Sequence, residues 1–241
     1  MAEISKTTDQ ALVVVLELSE KGPMTAAALS RSLGINRTVV HRLLTTLHRR
    51  GFVTRLKDGY APGAAFMRIA EGIQPELRGA ARAVLVDLAS KIKETIVLQI
   101  SDGDDTVVLE QVVSTEHVLR VEHRIGSRHP LDKGAGGRAL LAFASDDKLE
   151  RFLQHMADRQ TLIAELEEVR RQGFAESQDE LQLGVHGLGV PVFGASQTAI
   201  ASLSLLVPIK RASVVADHIG LLRDGAARIS ATLQADLNNA D

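Results

Sequence analysis

Arg37, Thr38, His41, Arg42 and Thr45 recur at helical spacing along one short run, and all carry hydrogen-bonding side chains. Arginine can bond bidentately to guanine, and threonine can donate, accept or touch a thymine methyl. Between them, Val40, Leu43, Leu44 and Leu47 make an apolar stripe, so the polar set must share the other face of an amphipathic helix. A second run, DKGAGG (132–137), puts three glycines among four residues just ahead of an apolar helical stretch. Such a loop lets backbone approach a ligand closely, and the N-terminus of the following helix offers free N–H groups to a carboxylate. The same glycines would also let a helix pack tightly on a sheet, and the sequence leaves both readings open. The run lacks the G-x-x-x-x-G-K-[ST] spacing of a phosphate-binding P-loop.

The elements that must hold the first set are legible on either side of it. Residues 25–33 carry Ala27, Leu29 and Leu33 at helical spacing, and Gly34-Ile35-Asn36 separates this run from the next. Glycine tolerates the left-handed conformation that ends a helix, and asparagine is a favoured N-cap. Two short helices joined by such a turn predict a helix-turn-helix over 25–51, its second helix facing the DNA major groove. Residues 8–21 predict a preceding helix with Leu12, Val15, Leu16 and Ser19 on one face, stopped by Gly22-Pro23. After Gly51, strand-like Phe52-Val53-Thr54 and the turn dipeptide Asp58-Gly59 predict a hairpin, the wing of a winged helix. Thr38 and His41 are expected near bases, with Arg37 shared between base and phosphate. Arg42, Arg49, Arg50, Arg55 and Lys57 are expected on phosphates, and Thr25 and Asn36 join the DNA-binding set. The alternative is a three-helix bundle with a solvated hairpin.

Charge distribution agrees with this division. Net charge is −2, yet residues 1–60 hold nine Lys/Arg against five Asp/Glu, a surplus of +4 that leaves −6 on the remainder. A basic small domain on an acidic larger one suits a chain of which one end touches phosphate. The absence of cysteine excludes disulfides, cysteine-type zinc fingers and thiol nucleophiles. Neither a signal-peptide core nor an apolar run of the ~18 residues a membrane helix needs is present, so a cytoplasmic protein without membrane association is expected.

Residues 63–78 predict a connecting helix with a narrow stripe of Phe66, Ile69, Ala70 and Ile73. That stripe could pack on its own wing or pair with a second chain; pairing is favoured, because a dimer reads a two-fold operator. From residue 75 a longer helix puts Leu77, Ala81, Val84, Leu85 and Leu88 inward. Strand-like runs at 95–101, 105–114 and 117–123 follow, then helices at 146–155 and 162–172, a hairpin from 188–194 and 199–208, and a closing helix over 214–237. The expected class is α+β, with a winged helix-turn-helix at 1–62, a linker helix at 63–78 and a larger domain at 79–241.

INRTVVHRLLTTLHRRGFVTR, LDKGAGGRALLAF, GFAESQDELQLGV and PVFGASQTAIASLSL occur in an order and spacing that resemble the IclR family of bacterial transcription regulators over nearly the whole chain. The resemblance implies a winged helix joined to a GAF-like effector domain, dimers or tetramers on palindromic double-stranded DNA, and control by a small organic ligand. It implies an effector site drawing on Gly134, Ala135 and Gly136, on Asp179 and Glu180, on His186, Gly187 and Leu188, and on Ser202, Ser204 and Leu206. The sequence departs from the family pattern in two places. His186-Gly187 stands where many members have Arg-Cys, and Leu206 where some have a serine. Both changes leave a roomier and more apolar pocket, so an aromatic or partly apolar acid is expected rather than a small keto acid.

No cofactor or metal is expected, and no enzyme activity. The histidines lack H-x-x-x-H spacing, Asp102, Asp104 and Asp105 read as a turn, and no serine sits in a G-x-S-x-G elbow. The rival readings are a small-molecule-binding enzyme or metal-binding domain with an accessory winged helix, and an adaptor that binds protein through it.

Overall fold

A computed structural model describes residues 4–239. The chain separates into two compact units, Met1–Pro75 and Glu76–Asp241.

The first unit runs α1 (Lys6–Lys21), α2 (Ala26–Leu33), α3 (Arg37–Arg49), β1 (Val53–Leu56), β2 (Gly59–Pro62) and α4 (Ala65–Glu71). Its core joins Val14 and Leu18 of α1 to Leu29, Val40, Leu44 and Val53. The inward face of α1 differs from the expected one. Val14, Val15 and Leu18 are buried, whereas Leu12 and Leu16 are each 60% exposed. The run LVVVLEL is apolar at nearly every position, so periodicity alone could not choose a face. The hairpin is not left to solvent. Met24 and Tyr60 exchange two backbone hydrogen bonds of 3.0 and 2.8 Å, which staple the wing to the segment entering α2. Gly59 makes this approach possible: at φ 143°, any Cβ there would lie 2.5 Å from the Met24 carbonyl. The predicted connector is not one helix over 63–78. It ends at Glu71, Gln74 adopts φ 48°, and Pro75 opens α5 (Pro75–Ile92). Proline is favoured in the first turn of a helix and cannot continue the one before it.

In the second unit α5 is followed by β3 (Thr95–Asp102), β4 (Asp105–Val112), β5 (Arg128–Pro130), α6 (Gly134–Ala142), α7 (Asp146–Leu153) and α8 (Arg159–Gln172). Then come β6 (Ala175–Gln178), β7 (Val185–Phe193), β8 (Ala199–Pro208) and, after 3-10 turns, α9 (Ile219–Asn239). The strands form one antiparallel sheet in the order β5-β4-β3-β8-β7-β6. Leu85 and Leu88 of α5 and Leu222 and Ile229 of α9 share one core with Leu98, Leu188, Leu203 and Leu205 of the sheet. Ala139 and Leu141 of α6 pack with Phe152 and Leu166 of α7 and α8 in another.

The alternation in residues 117–123 does not become a strand. Val118 is fully exposed and Leu119 largely so, while Val121 is buried. Side chains hold the segment instead. Thr95 Oγ1 donates to the Val121 carbonyl at 2.6 Å, and Gln111 bonds both the N–H and the carbonyl of His123. The edge of β4 is taken by β5, with Thr106 opposite His129. Asp102 and Asp105 both accept from Arg128, at 2.6 and 3.0 Å, so their carboxylates have a structural partner.

Candidate nucleic-acid interface and effector cleft

The DNA-facing residues expected on α3 stand together on its exposed side. Arg37, Thr38, His41, Arg42 and Thr45 are all exposed, opposite buried Val40, Leu43 and Leu44. The two turn residues serve as caps. Thr25 Oγ1 accepts from Ala28 N–H at 3.2 Å, and Asn36 Oδ1 accepts from Thr38 N–H at 2.8 Å. Capping uses only an acceptor, so the Thr25 hydroxyl proton and the Asn36 amide protons remain available to phosphate oxygens. Thr45 and Thr46 donate back to the carbonyls of His41 and Arg42, at 2.8 and 3.0 Å. Thr46 is an addition to the expected set. It lines the same shallow surface as Thr38, His41, Arg42 and Thr45, and its helical spacing from Arg42 was a signal available in the sequence.

Arg55 lies on β1 and Lys57 on the turn after it, both exposed, as are Arg49 and Arg50 at the end of α3. The ion pair of this unit among the described residues joins Lys21 to Glu17 on α1 at 2.6 Å. Among the described residues no carboxylate pairs with Arg37, Arg42, Arg49, Arg50, Arg55 or Lys57. Cations left unpaired keep their full charge for phosphate and for counterion release.

The second site is built by the packing of α6 on the sheet. A Cβ at Gly136 would fall 1.8 Å from Gln99 Oε1 and 2.8 Å from Ser204 Oγ, and one at Gly137 would lie 2.4 Å from the Leu131 carbonyl. Across from them, a Cβ at Gly189 would sit 2.6 Å from the backbone of Ala135. Gly136 therefore serves close helix-to-sheet packing and Gly137 the close approach of α6 to the turn before it, and the helix starts within the glycine run rather than after it.

At its first turn, the anion position is filled from within the chain. Gly134 N–H donates to Glu180 Oε2 at 2.9 Å, and Arg138 donates to both Glu180 oxygens at 2.6 and 2.7 Å. Arg138 is only 9% exposed and also donates to the Glu176 carbonyl. Burial pushes the Glu180 carboxyl up, but the Arg138 and Gly134 hydrogen bonds outweigh it and hold the group below the usual carboxylate range. Beside this clamp lies a cavity of about 30 Å³, lined in part by Gln99, His123, Ala135, Leu181 and Leu206. That is room for about one water molecule. Leu181 closes it, its Cδ1 lying 2.7 Å from where a Gly134 Cβ would be.

Of the residues expected here, Gly134, Ala135, Gly136, Glu180 and Leu206 converge on the cavity. Gly187 lies against its floor: a Cβ there would lie 3.5 Å from both Ala135 and Leu206 side-chain atoms. Ser204 is buried beneath Gly136 and bonds Gln99 at 3.0 Å. Ser202, one repeat along the same strand face, is fully buried with its hydroxyl unpartnered. Asp179 is outside the cavity, closing the 179–184 turn by accepting from Gly184 N–H at 2.5 Å.

His186 and Leu188 require correction. Leu188 belongs to the core shared with α5 and α9, and alternation along β7 puts His186 on that same face. The His186 ring lies 3.4 Å from the Glu176 carboxylate, with both ring nitrogens buried outside hydrogen-bonding geometry.

Gln99, His123 and Arg138 lie at this site outside the expected set. Gln99 had a signal, a lone amide inside the apolar strand TIVLQIS. His123 ends the run that alternates as a strand would, which gives no sign of a cavity position. Its ring meets that of His129 edge-on at 5.0 Å, and burial, then the neighbouring His129 charge, pushes it down to about 4.

A family model described as the IclR helix-turn-helix domain matches residues 8–57. A second, described as bacterial transcriptional regulator IclR C-terminal, matches residues 74–231, well over half the chain. The chain belongs to the IclR family of bacterial transcriptional regulators. The HTH-type transcriptional regulator KipR of Bacillus subtilis is 25% identical over 218 residues, 85% of this chain and 87% of its own length. The transcriptional repressor IclR of Escherichia coli is 27% identical over 206 residues, 79% of this chain and 75% of that protein. An IclR homolog from Microbacterium hydrocarbonoxydans, crystallised with 4-hydroxybenzoate, superimposes with a TM-score of 0.81 at 23% identity, covering 94% of this chain and 98% of that one. Within the family this chain thus combines a DNA-binding winged helix with an effector-binding domain of antiparallel sheet and flanking helices. Among the described residues no helix is long and apolar enough to cross a membrane.

Proposed function

We propose that this regulator binds a palindromic operator in double-stranded DNA through α3 and the wing, as a homodimer or a tetramer of such dimers in the cytoplasm. The observation that carries the reading is the exposed, carboxylate-free set of cations on a stapled winged helix. Thr38 and His41 read base edges, Arg37 contacts base and phosphate, and Arg42, Arg49, Arg50, Arg55 and Lys57 hold the backbone, assisted by Thr25 and Asn36. Fluorescence anisotropy on the intergenic DNA upstream of its own gene, run against salt, tests this. Each phosphate-contacting arginine changed to alanine flattens the log–log salt slope by about one unit. Unchanged slopes across all the arginine variants overturn the assignment.

The pairing surface is the apolar face left outside the first unit. Phe66 meets its own Phe52 edge-on at 5.2 Å, while Met67, Ile69 and Ile73 are 48–70% exposed and Leu12 and Leu16 are exposed on α1. A second copy covers these residues. Light scattering of the Ile69→Asp chain then shows a smaller species than wild type.

The effector is an aromatic or partly apolar acid that enters at Gly134, Ala135, Gly136 and Leu206. A cavity of about 30 Å³ is too small for it, so the 179–184 turn moves aside and the ligand carboxylate replaces Glu180 on Arg138 and Gly134 N–H. Gly187 and Leu206 add apolar room, and the protein works by binding rather than catalysis. A thermal-shift series from small keto acids to 4-hydroxybenzoate tests the class; a response confined to the keto acids refutes it.

A further inference from the structure

β6 pairs with β7 only from His186 to Gly189, so Val190 to Phe193 form an edge beyond its end. Along that edge lies a trough of about 550 Å³ that shares no lining residue with the Glu180 cavity. The edge is poorly suited to an added strand. Pro191 has no N–H, and the Phe193 N–H already donates to Ser230 Oγ at 3.0 Å. The trough instead has the size and lining of a small-molecule site. Phe143 and Phe193 meet edge to face at 5.2 Å on one side, and Ala226 and Ala227 of α9 leave the other free of bulk.

Two arginines line it, each oriented by a carbonyl. Arg170 donates through Nε to the Ala142 carbonyl, and Arg223 donates to the Gln172 carbonyl with its guanidinium 5.5 Å from the centre of the Phe174 ring. Several other arginines of this unit held in this way also have a carboxylate, although exposed Arg151, on the Asp147 carbonyl, has none among the described residues. Arg138 bonds the Glu176 carbonyl and Glu180, and Arg211 bonds the Leu119 carbonyl and Glu94. Arg170 and Arg223 have the carbonyl but, among the described residues, no carboxylate. Both keep further N–H donors in a fork suited to bidentate carboxylate binding.

We propose that this trough is a second ligand site, specific for an organic monocarboxylate with an aromatic or apolar body. The carboxylate is held by Arg170 and Arg223, and the body lies against Phe143, Phe193 and Ala227. The site is independent of the reading of the Glu180 cavity as the effector cleft.

The test titrates the full chain with 3-phenylpropionate by calorimetry and follows alanine and leucine methyl resonances. The expected result is binding that shifts the Ala226 and Ala227 methyls and leaves those of Leu181 and Leu206 in place. Arg170→Gln and Arg223→Gln each weaken it roughly tenfold or more, the neutral 3-phenylpropionamide binds at least as poorly, and Ala227→Trp abolishes it. Failure to bind at millimolar concentration overturns the proposal. So does equal affinity for acid and amide, indifference to both arginine substitutions, or methyl shifts confined to Leu181 and Leu206. The last result would leave the effector cleft supported and this site refuted. If a variant proves unfolded by its urea midpoint, the methyl map and the acid–amide comparison on wild type still decide.

Discussion

The α3 face and the Glu180 cavity are both rich in hydrogen-bonding side chains, but they hold them in opposite states. On α3, Arg37, Arg42 and their neighbours point outward with no carboxylate partner among the described residues. Around the cavity, Glu180, Arg138, Ser204 and Gln99 satisfy one another, and about 30 Å³ remains. The contrast follows from environment. Polar groups in water need no internal partner, whereas burying one unpaired costs free energy, so the buried groups here close on one another. A DNA face can stay ready, while the Glu180 cleft, if it takes an acid as proposed, has to open.

The comparison is most easily broken where α6 packs on the turn before it. Gly137→Ala should lower the stability of the second unit by about 3 kcal/mol in urea unfolding, because the added methyl meets the Leu131 backbone rather than a movable side chain. A cost under ~0.5 kcal/mol would mean that α6 rides higher than described.

Acidification should separate the units next. His123 is held neutral in the fold at pH values where an unfolded histidine, at 6.5, takes up a proton. Between pH 6.5 and about 4 the unfolded chain binds more protons, so stability is full above 6.5 and falls by about 3 kcal/mol toward 4. Glu180 adds a second loss below 4.5, as its depressed carboxyl protonates. His123→Gln should flatten the first window; an unchanged pH profile would contradict the burial of this ring.

A finer test asks what Glu180 does. If it competes with an acid effector, Glu180→Gln should tighten binding of an aromatic acid about tenfold, near 1.4 kcal/mol. Weaker binding would make Glu180 a ligand contact instead. The smallest effect on stability belongs to the DNA face. Arg42→Ala should change the unfolding free energy by less than ~0.5 kcal/mol while removing about one unit from the salt slope. A loss of stability without a change in slope would assign Arg42 to the fold.

The same contrast explains what was legible in the primary structure. The α3 stripe, the Asn36 cap and the Asp58-Gly59 turn are signals within a few residues, and each reappears as read. On α1 the apolar run was too continuous to choose a face. Residues 117–123 alternate as a strand would, but a strand needs an open edge, and β5 takes that of β4. The family resemblance groups His186 and Leu188 with Gly187, yet alternation in β7 sends them to the opposite face.

Local sequence therefore determined the helix-turn-helix, its polar face, its wing and the charge separation between the two units, since spacing and capping act over one or two turns of chain. Tertiary structure alone decided which carboxylate meets Arg138, which strand face lines the cavity, and that Arg170 and Arg223 share a trough. Those contacts join residues more than forty positions apart. They depend on strand register and helix packing, which no short window of sequence records.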